Sequence, residues 1–207
     1  MHSLALIGPL GVGKTTVANI LVEHRGYTRI PFAGAVKQDC ADMLDFVVQR
    51  HKQRSGWNTI PGSITKDTIE QFKKDVFGPL LQWYGTDFWR NFMDEPEHWI
   101  ARWVQEVKQV EGPVVVDDCR FLNEAEALST MNFSIVRLFR PSAFERDARS
   151  VEHASETEQK DIPVHEMWML KSAEPAELTS IILNLHDELV QRRSDYAHPS
   201  QETIKVL

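Results

Sequence analysis

An α/β domain built on a parallel sheet is predicted for this chain of 207 residues by three observations. Short apolar runs of strand length alternate along it with longer stretches whose apolar residues recur at helical spacing. The short runs are continuously apolar, as strands covered on both faces must be. One of them, Leu4-Ala5-Leu6-Ile7, leads straight into a glycine-rich turn and then a helix. Hydrophobic residues make up 42% of the chain and charged ones 26%, so residues 1–207 can build one soluble domain with a sizeable core.

The elements follow in order. Gly8-Pro9 ends the first strand. Val17, Ile20, Leu21 and His24 then share a helical face, and Gly26 stands where a left-handed residue closes a helix. A second helix from about Ala35 carries a stripe of Val36, Cys40, Met43, Leu44 and Val47. The pattern stops between Lys52 and Lys66, where Ser55-Gly56 and Pro61-Gly62 predict a loop, and it returns near Asp67. Pro96, preceded by Asp94 and Glu95, opens a helix lined by Trp99, Ile100, Trp103, Val104 and Val107. Gly112-Pro113 breaks the chain before the strand Val114-Val115-Val116, which ends in Asp117-Asp118. Asn123 with Glu126 predicts a capping box on a helix through Leu128. Ser134 to Phe139 reads as a strand ended by Arg140-Pro141. The charged, aperiodic stretch from Arg146 to Asp161 reads as a lid or loop, within a lid region of about 141–165. Met167 to Leu170 supplies a fifth short strand. Leu178, Ile181, Ile182, Leu185 and Leu189 make an amphipathic helix, and residues 194–207 a frayed tail.

Charge and cysteine content narrow the partners. Thirty acidic against 23 basic side chains leave a net charge of −7, which argues against affinity for nucleic acid or an anionic membrane. A small molecule or a protein is the expected partner. Cys40 and Cys119 are too few for a disulfide framework and show no C-x-x-C spacing. The N-terminus has neither a basic start nor the long apolar stretch of a signal or a membrane span, so a cytoplasmic protein is expected.

Gly8-Pro9-Leu10-Gly11-Val12-Gly13-Lys14-Thr15 fits G-x-x-x-x-G-K-[ST] at every fixed position. Glycines let the backbone curl until successive N–H groups point into one concavity, where they bind phosphate oxygens. The following helix adds its N-terminal dipole at the same spot. Gly8, Gly11, Val12, Gly13, Lys14, Thr15 and Thr16 are therefore the candidate nucleotide-binding residues, with Lys14 reaching the β- and γ-phosphates and Thr15 ligating Mg²⁺. An acid at the end of a buried strand lies where a second Mg²⁺-facing group would sit, so one of Asp117 and Asp118 faces the metal; helix capping is the other reading. GTPases, motor ATPases and small kinases share such a cradle.

No lysine occurs between Lys108 and Lys160, yet Arg120, Arg137, Arg140, Arg146 and Arg149 do. Guanidinium forks grip phosphate bidentately and spread over the charge of a transferring phosphoryl group, although surface ion pairs would use the same residues. If the acceptor is itself a phosphate, no strong base is needed, because a monoester with a second pKa of about 6 is already a dianion. The eight histidines show no metal-ligand spacing, and His153 alone lies in the lid region. Trp99 and Trp103 read as core, while Trp83, Tyr84, Phe88 and Trp89 read either as packing or as walls for a base.

Four further segments carry a resemblance. They are Phe32-Ala33 with Lys37; Leu80-Leu81-Gln82 followed by Gly85-Thr86-Asp87 and Arg90; Asp118-Cys119-Arg120-Phe121 with Asn123-Glu124; and His153-Ala154-Ser155-Glu156. With the glycine-rich loop they resemble the deoxynucleoside monophosphate kinases carried by bacteriophages, in the P-loop nucleoside-monophosphate-kinase-like group. The resemblance implies a three-layer α/β/α P-loop kinase fold around a five-stranded parallel sheet, with a mobile lid. It implies transfer of the ATP γ-phosphate, with Mg²⁺, to a deoxynucleoside monophosphate. Lys14, Arg90, Asp118, Arg120, Arg146 and Arg149 would then be catalytic, with Asp118 near the metal or the acceptor. Lys37, Trp83, Gly85, Thr86, Arg90 and Arg120 would bind the acceptor, within a region of about 50–95. Either a monomer or a homodimer is compatible with it, in a host cytoplasm if phage-encoded. Departures are the Thr15-Thr16 pair after the lysine and the lack of an asparagine-glycine signature near Met167 to Lys171. The alternatives are a kinase similar to dephospho-coenzyme A or phosphomevalonate kinases, or a nucleotide-binding switch without transfer activity.

Overall fold

In the computed structural model of the chain, residues 2–55, 63–72, 76–140, 158–170 and 175–197 are described. They fall into two compact units, Met1–Arg29 with Glu111–Leu207, and Ile30–Val110. No helix among the described residues is long and apolar enough to cross a membrane.

In the first unit, β1 (Leu4–Ile7) has four successive residues without solvent exposure, so it must be covered on both faces. It lies at the centre of a five-stranded sheet with β2 (Thr28–Arg29), β3 (Val114–Val116), β4 (Ser134–Phe139) and β5 (Glu166–Met169). The strand order is β2-β3-β1-β4-β5 and every neighbouring pair is parallel. Leu4 stands opposite Val115 and Ser134, and Ile7 opposite Arg137. Side chains alternate along each strand. Leu4, Leu6, Val115, Val136, Leu138 and Trp168 form one buried cluster with Val17, Ile20 and Leu21 of α1 (Lys14–Arg25) and Ile182 and Leu189 of the last helix. Ala5, Ile7, Val116 and Ile135 alternate to the other face and are equally buried. The crossover through α1 runs one way across the sheet, and that through the helix at Leu122–Thr130 runs the other. Right-handed connections therefore put those helices on opposite faces, giving three α/β/α layers as expected.

α1 stops at Gly26, whose φ of +68° is the left-handed closure its sequence position predicts. The final helix (Pro175–Ala197) runs past Ser194, where the sequence predicted a frayed tail, and residues 198–207 lie outside the described residues. Its base is tied to α1. Arg25 donates from Nε and Nη2 to Asp187 at 3.0 and 2.7 Å, and His186 Nδ1 meets the same carboxylate at 2.8 Å. His186 Nε2 lies 2.9 Å from the Tyr27 hydroxyl, which donates to the His2 carbonyl at 2.6 Å.

The second unit holds α2 (Ala33–Ser55), α3 (Lys66–Gln71), α4 (Gly78–Gln82), a π-helix (Trp83–Phe92) and α5 (His98–Val107). Val36, Cys40 and Trp99 are its buried centre, flanked by Leu80, Leu81, Tyr84 and Trp89. The stripe predicted on α2 is only half used: Val36 and Cys40 are buried, but Met43 and Val47 are 40% and 57% exposed. Trp99 and Trp103 are core, as expected, and each indole N–H is satisfied by a carbonyl at 3.0 Å, of Gly85 and Ile30 respectively.

With α6 as Leu122–Thr130 and α7 as Pro175–Ala197, two further local expectations change. α6 is capped by Glu124, not through Asn123 and Glu126. The buried Glu124 carboxylate accepts the N–H groups of Arg120 and Phe121 at 2.8 and 3.2 Å, because the helix starts two residues earlier. The fifth strand also starts one residue earlier than Met167. The predicted loop around Gly56 to Gly62 and most of the lid, with Arg146, Arg149 and His153, lie outside the described residues.

Acid should weaken this fold in two windows. Burial holds the imidazoles of His2, His98 and His165 below the ordinary value of 6.5. The unfolded chain therefore takes up protons first, and stability falls as pH drops from neutrality through 6.5 and on through the lowered folded values. Hydrogen bonds from Arg25 and His186 hold the Asp187 carboxyl down to about 2. Its contribution is complete above about pH 4 and is lost between about 4 and 2. Thermal melting across pH should show both declines, and Asp187→Asn should remove the second.

Candidate functional site

The loop of residues 8–13 joins β1 to α1, and each of its glycines has a separate reason. Gly8, at φ +139°, passes so close to β4 that an added Cβ would stand 2.6 Å from the Leu138 carbonyl oxygen. Gly11 and Gly13, at +79° and +109°, turn the backbone through conformations that L side chains rarely adopt. Gly13 is the N-cap of α1, so the first free N–H groups of that helix open at the same place. Val12 is buried in the core and donates its N–H to the Pro9 carbonyl at 3.3 Å, which anchors the loop from below. Lys14 folds its ammonium over the loop and donates to the carbonyls of Gly8 and Pro9, the second at 3.0 Å.

The carboxylate beside the loop is that of Asp117, which follows β3. Thr15 Oγ1 donates to its Oδ2 at 2.7 Å. Arg29, at the end of β2, grips the same carboxylate from Nε and Nη2 at 2.9 and 2.8 Å. The Asp117 side chain is only 2% exposed, and the Arg29 fork supplies the partner that a buried carboxylate requires. Of the two acids left open by the sequence, Asp117 is the one the structure brings against Thr15. Arg29 was not singled out from the sequence. A buried acid at a strand end calls for a cation on a neighbouring strand, and β2 pairs with β3.

The arginines divide by environment. Arg140, at the end of β4, has Nη2 3.6 Å from where a Cβ on Gly13 would be, and its buried Nε has no hydrogen-bond partner among the described residues. Arg137 is committed elsewhere. Its Nη2 donates to the carbonyls of Gln159, Lys160 and Ile162 at 3.0–3.2 Å, which removes it from the predicted phosphate set. Arg120 and Asp118 are half-buried on the turn that Glu124 holds.

In the second unit, Trp83, Gly85, Thr86 and Arg90 share the π-helix, a geometry often found at functional sites. A Cβ on Gly85 would stand 3.3 Å from Val36, so this glycine allows the π-helix to close on α2. Trp83 is 49% exposed and forms a ring cluster with Tyr84 and Phe88, at 6.3 and 5.5 Å between centroids. Trp89 meets Tyr84 and Phe88 edge-on, at 6.3 and 5.5 Å, and stacks on His98 at 3.7 Å. Lys37 is buried and ion-paired with Glu70 on α3.

No known family profile matches the chain. A protein of Acanthamoeba polyphaga mimivirus, named "Putative deoxynucleotide monophosphate kinase", is 25% identical over 206 residues, covering 92% of this chain and 99% of the viral one. Among solved structures, a gluconokinase from Sinorhizobium meliloti 1021 superposes with a TM-score of 0.45 at 18% identity, over 95% of this chain and 98% of its own. The dephospho-CoA kinase from Campylobacter jejuni gives 0.45 at 13%, over 92% and 98% of the two chains. Shikimate kinase from Aquifex aeolicus vf5 gives 0.42 at 16%, over 91% and 98%. The phosphate loop, the sheet order and a full-length relative named as a kinase together support a small P-loop kinase.

Two substitutions check the geometry. Gly8→Ala should cost about 1–3 kcal/mol, since both the positive φ and the Leu138 carbonyl oppose a methyl group. Asp117→Asn should cost about 1–3 kcal/mol by leaving the Arg29 fork poorly paired. Urea denaturation of each variant against the parent reads both.

Proposed function

We propose that this chain is an ATP- and Mg²⁺-dependent deoxynucleoside monophosphate kinase, giving the nucleoside diphosphate and ADP. The observation that carries the reading is the junction of Lys14, Thr15 and Asp117 at the mouth of a three-glycine loop. The name and full-length coverage of the viral relative support the choice of acceptor.

In this reading the N–H groups of residues 11–15 cradle the ATP phosphates. Lys14 exchanges the Gly8 and Pro9 carbonyls for phosphate oxygens, a better partner for an ammonium. Arg140 supplies a guanidinium beside Gly13, and its Nε, without a partner among the described residues, donates to an arriving anion. Thr15 and Asp117 offer two hard oxygen donors, which suits Mg²⁺ shared between one or two protein groups, phosphates and water. Bound there, Mg²⁺ would neutralise charge on the phosphate tail.

Arg90 and Arg120 take the acceptor phosphate, with Asp118 on the acceptor side. Trp83, Gly85 and Thr86 belong to the same acceptor region. Lys37 joins α2 to α3 through Glu70 and acts on the acceptor only if that pair opens. Both Asp117 oxygens are engaged by Arg29 and Thr15, so this acid is not offered as a general base. A phosphate acceptor suits such a site better than a hydroxyl, because its dianion attacks without losing a proton.

An ADP-release assay with ATP, Mg²⁺ and each deoxynucleoside monophosphate in turn tests the proposal. Turnover with at least one of them is expected, and release unchanged across the panel overturns it. Lys14→Ala should lower turnover by about 10²–10³-fold with melting unchanged, as the side chain faces the loop and not the core. Arg90→Lys should raise the acceptor KM well above any change in the KM for ATP; equal changes would take Arg90 out of the acceptor site.

A further inference from the structure

The bidentate grip of Arg29 on Asp117 is not something a phosphate cradle requires. Thr15 alone would orient the carboxylate, yet a second, charged partner covers both of its oxygens. A buried carboxylate without a cation is the strongest local attraction a divalent metal could find. With Arg29 in place that attraction is cancelled. Arg29 balances the charge of Asp117, and Lys14 and Arg140 add two positive charges at the same edge, against which Asp118 sets one negative charge. Mg²⁺ sheds its water reluctantly and has no net negative charge to enter against. The phosphate tail of a nucleotide changes the sign of the site, because it brings several negative charges of its own.

We infer that Arg29 is a positioning residue that keeps the Thr15–Asp117 metal site closed to free Mg²⁺, so that the metal enters only with a nucleotide. The inference rests on reading Thr15 and Asp117 as the metal side of the cradle. Two consequences follow from the guanidinium fork. Its charge suppresses metal binding before the nucleotide arrives, and its planar geometry holds the Asp117 carboxylate in place against Thr15. A lysine keeps the first property and loses the second, whereas a glutamine loses the charge.

Thermal melting and titration calorimetry on the full chain test this, with MgCl₂ alone, ATP with a chelator, and MgATP. The parent should be stabilised by MgATP and insensitive to millimolar MgCl₂ alone. Arg29→Gln should acquire saturable binding of Mg²⁺ alone, at least about tenfold tighter than the parent, and adding Asp117→Asn should remove it. Arg29→Lys should stay insensitive to Mg²⁺ alone while needing more MgATP for the same stabilisation. If Arg29→Gln is unfolded in metal-free buffer, Mg²⁺ alone should restore its circular dichroism, by mass action on the folded state. Equal responses of parent and Arg29→Gln to Mg²⁺ alone, or no restoration of an unfolded variant, overturn the inference and leave the cradle reading intact. Failure of MgATP to stabilise the parent overturns both.

Discussion

β1 is the constraint on which the first unit rests. A strand with no exposed residue has to be flanked on both edges and covered on both faces, and only a parallel sheet with helical crossovers does this in so short a chain. Because every other strand then runs parallel to it, all carboxyl ends gather at one edge of the sheet. The loop after β1, Arg29 after β2, Asp117 after β3 and Arg140 after β4 are therefore neighbours by topology, although 132 residues separate Gly8 from Arg140. The glycine at position 8 is the clearest expression of this constraint, since the β4 carbonyl stands where its side chain would be.

At that edge charge is handled economically. One buried carboxylate serves a hydroxyl from α1 and a guanidinium from β2 together, while the ammonium of Lys14 rests on carbonyls of its own loop. Among the described residues, the side chains of Lys14, Thr15, Arg29 and Asp117 are already hydrogen-bonded, while Arg140 Nε has no partner. The loop is thus preorganised, and a nucleotide has to exchange hydrogen bonds instead of creating order from a disordered segment.

The second unit follows a different rule. Its centre is small and largely aromatic, and its π-helix gathers Trp83, Tyr84 and Phe88 on one stretch of chain. A π-helix ten residues long does not follow α-helical geometry, so periodicity at 3.6 residues misjudges which side chains meet there.

Local chemistry was legible in the sequence. Continuous apolar runs of four and three residues located β1 and β3, a β-rich run located β4, Gly26 located the end of α1, and the spacing of glycines and lysine located the phosphate loop. Each depends on neighbours within a few residues, where backbone sterics and burial pattern act directly. Partnerships across the sheet were not legible. Whether Asp117 or Asp118 meets Thr15 depends on the pleat of β3, and successive residues of a strand face opposite ways. That Arg29 pairs with Asp117, and that Arg137 turns to backbone carbonyls while Arg140 turns to the loop, depends on strand order. Strand order is a property of how the sheet closes in space, and only the tertiary structure decides it.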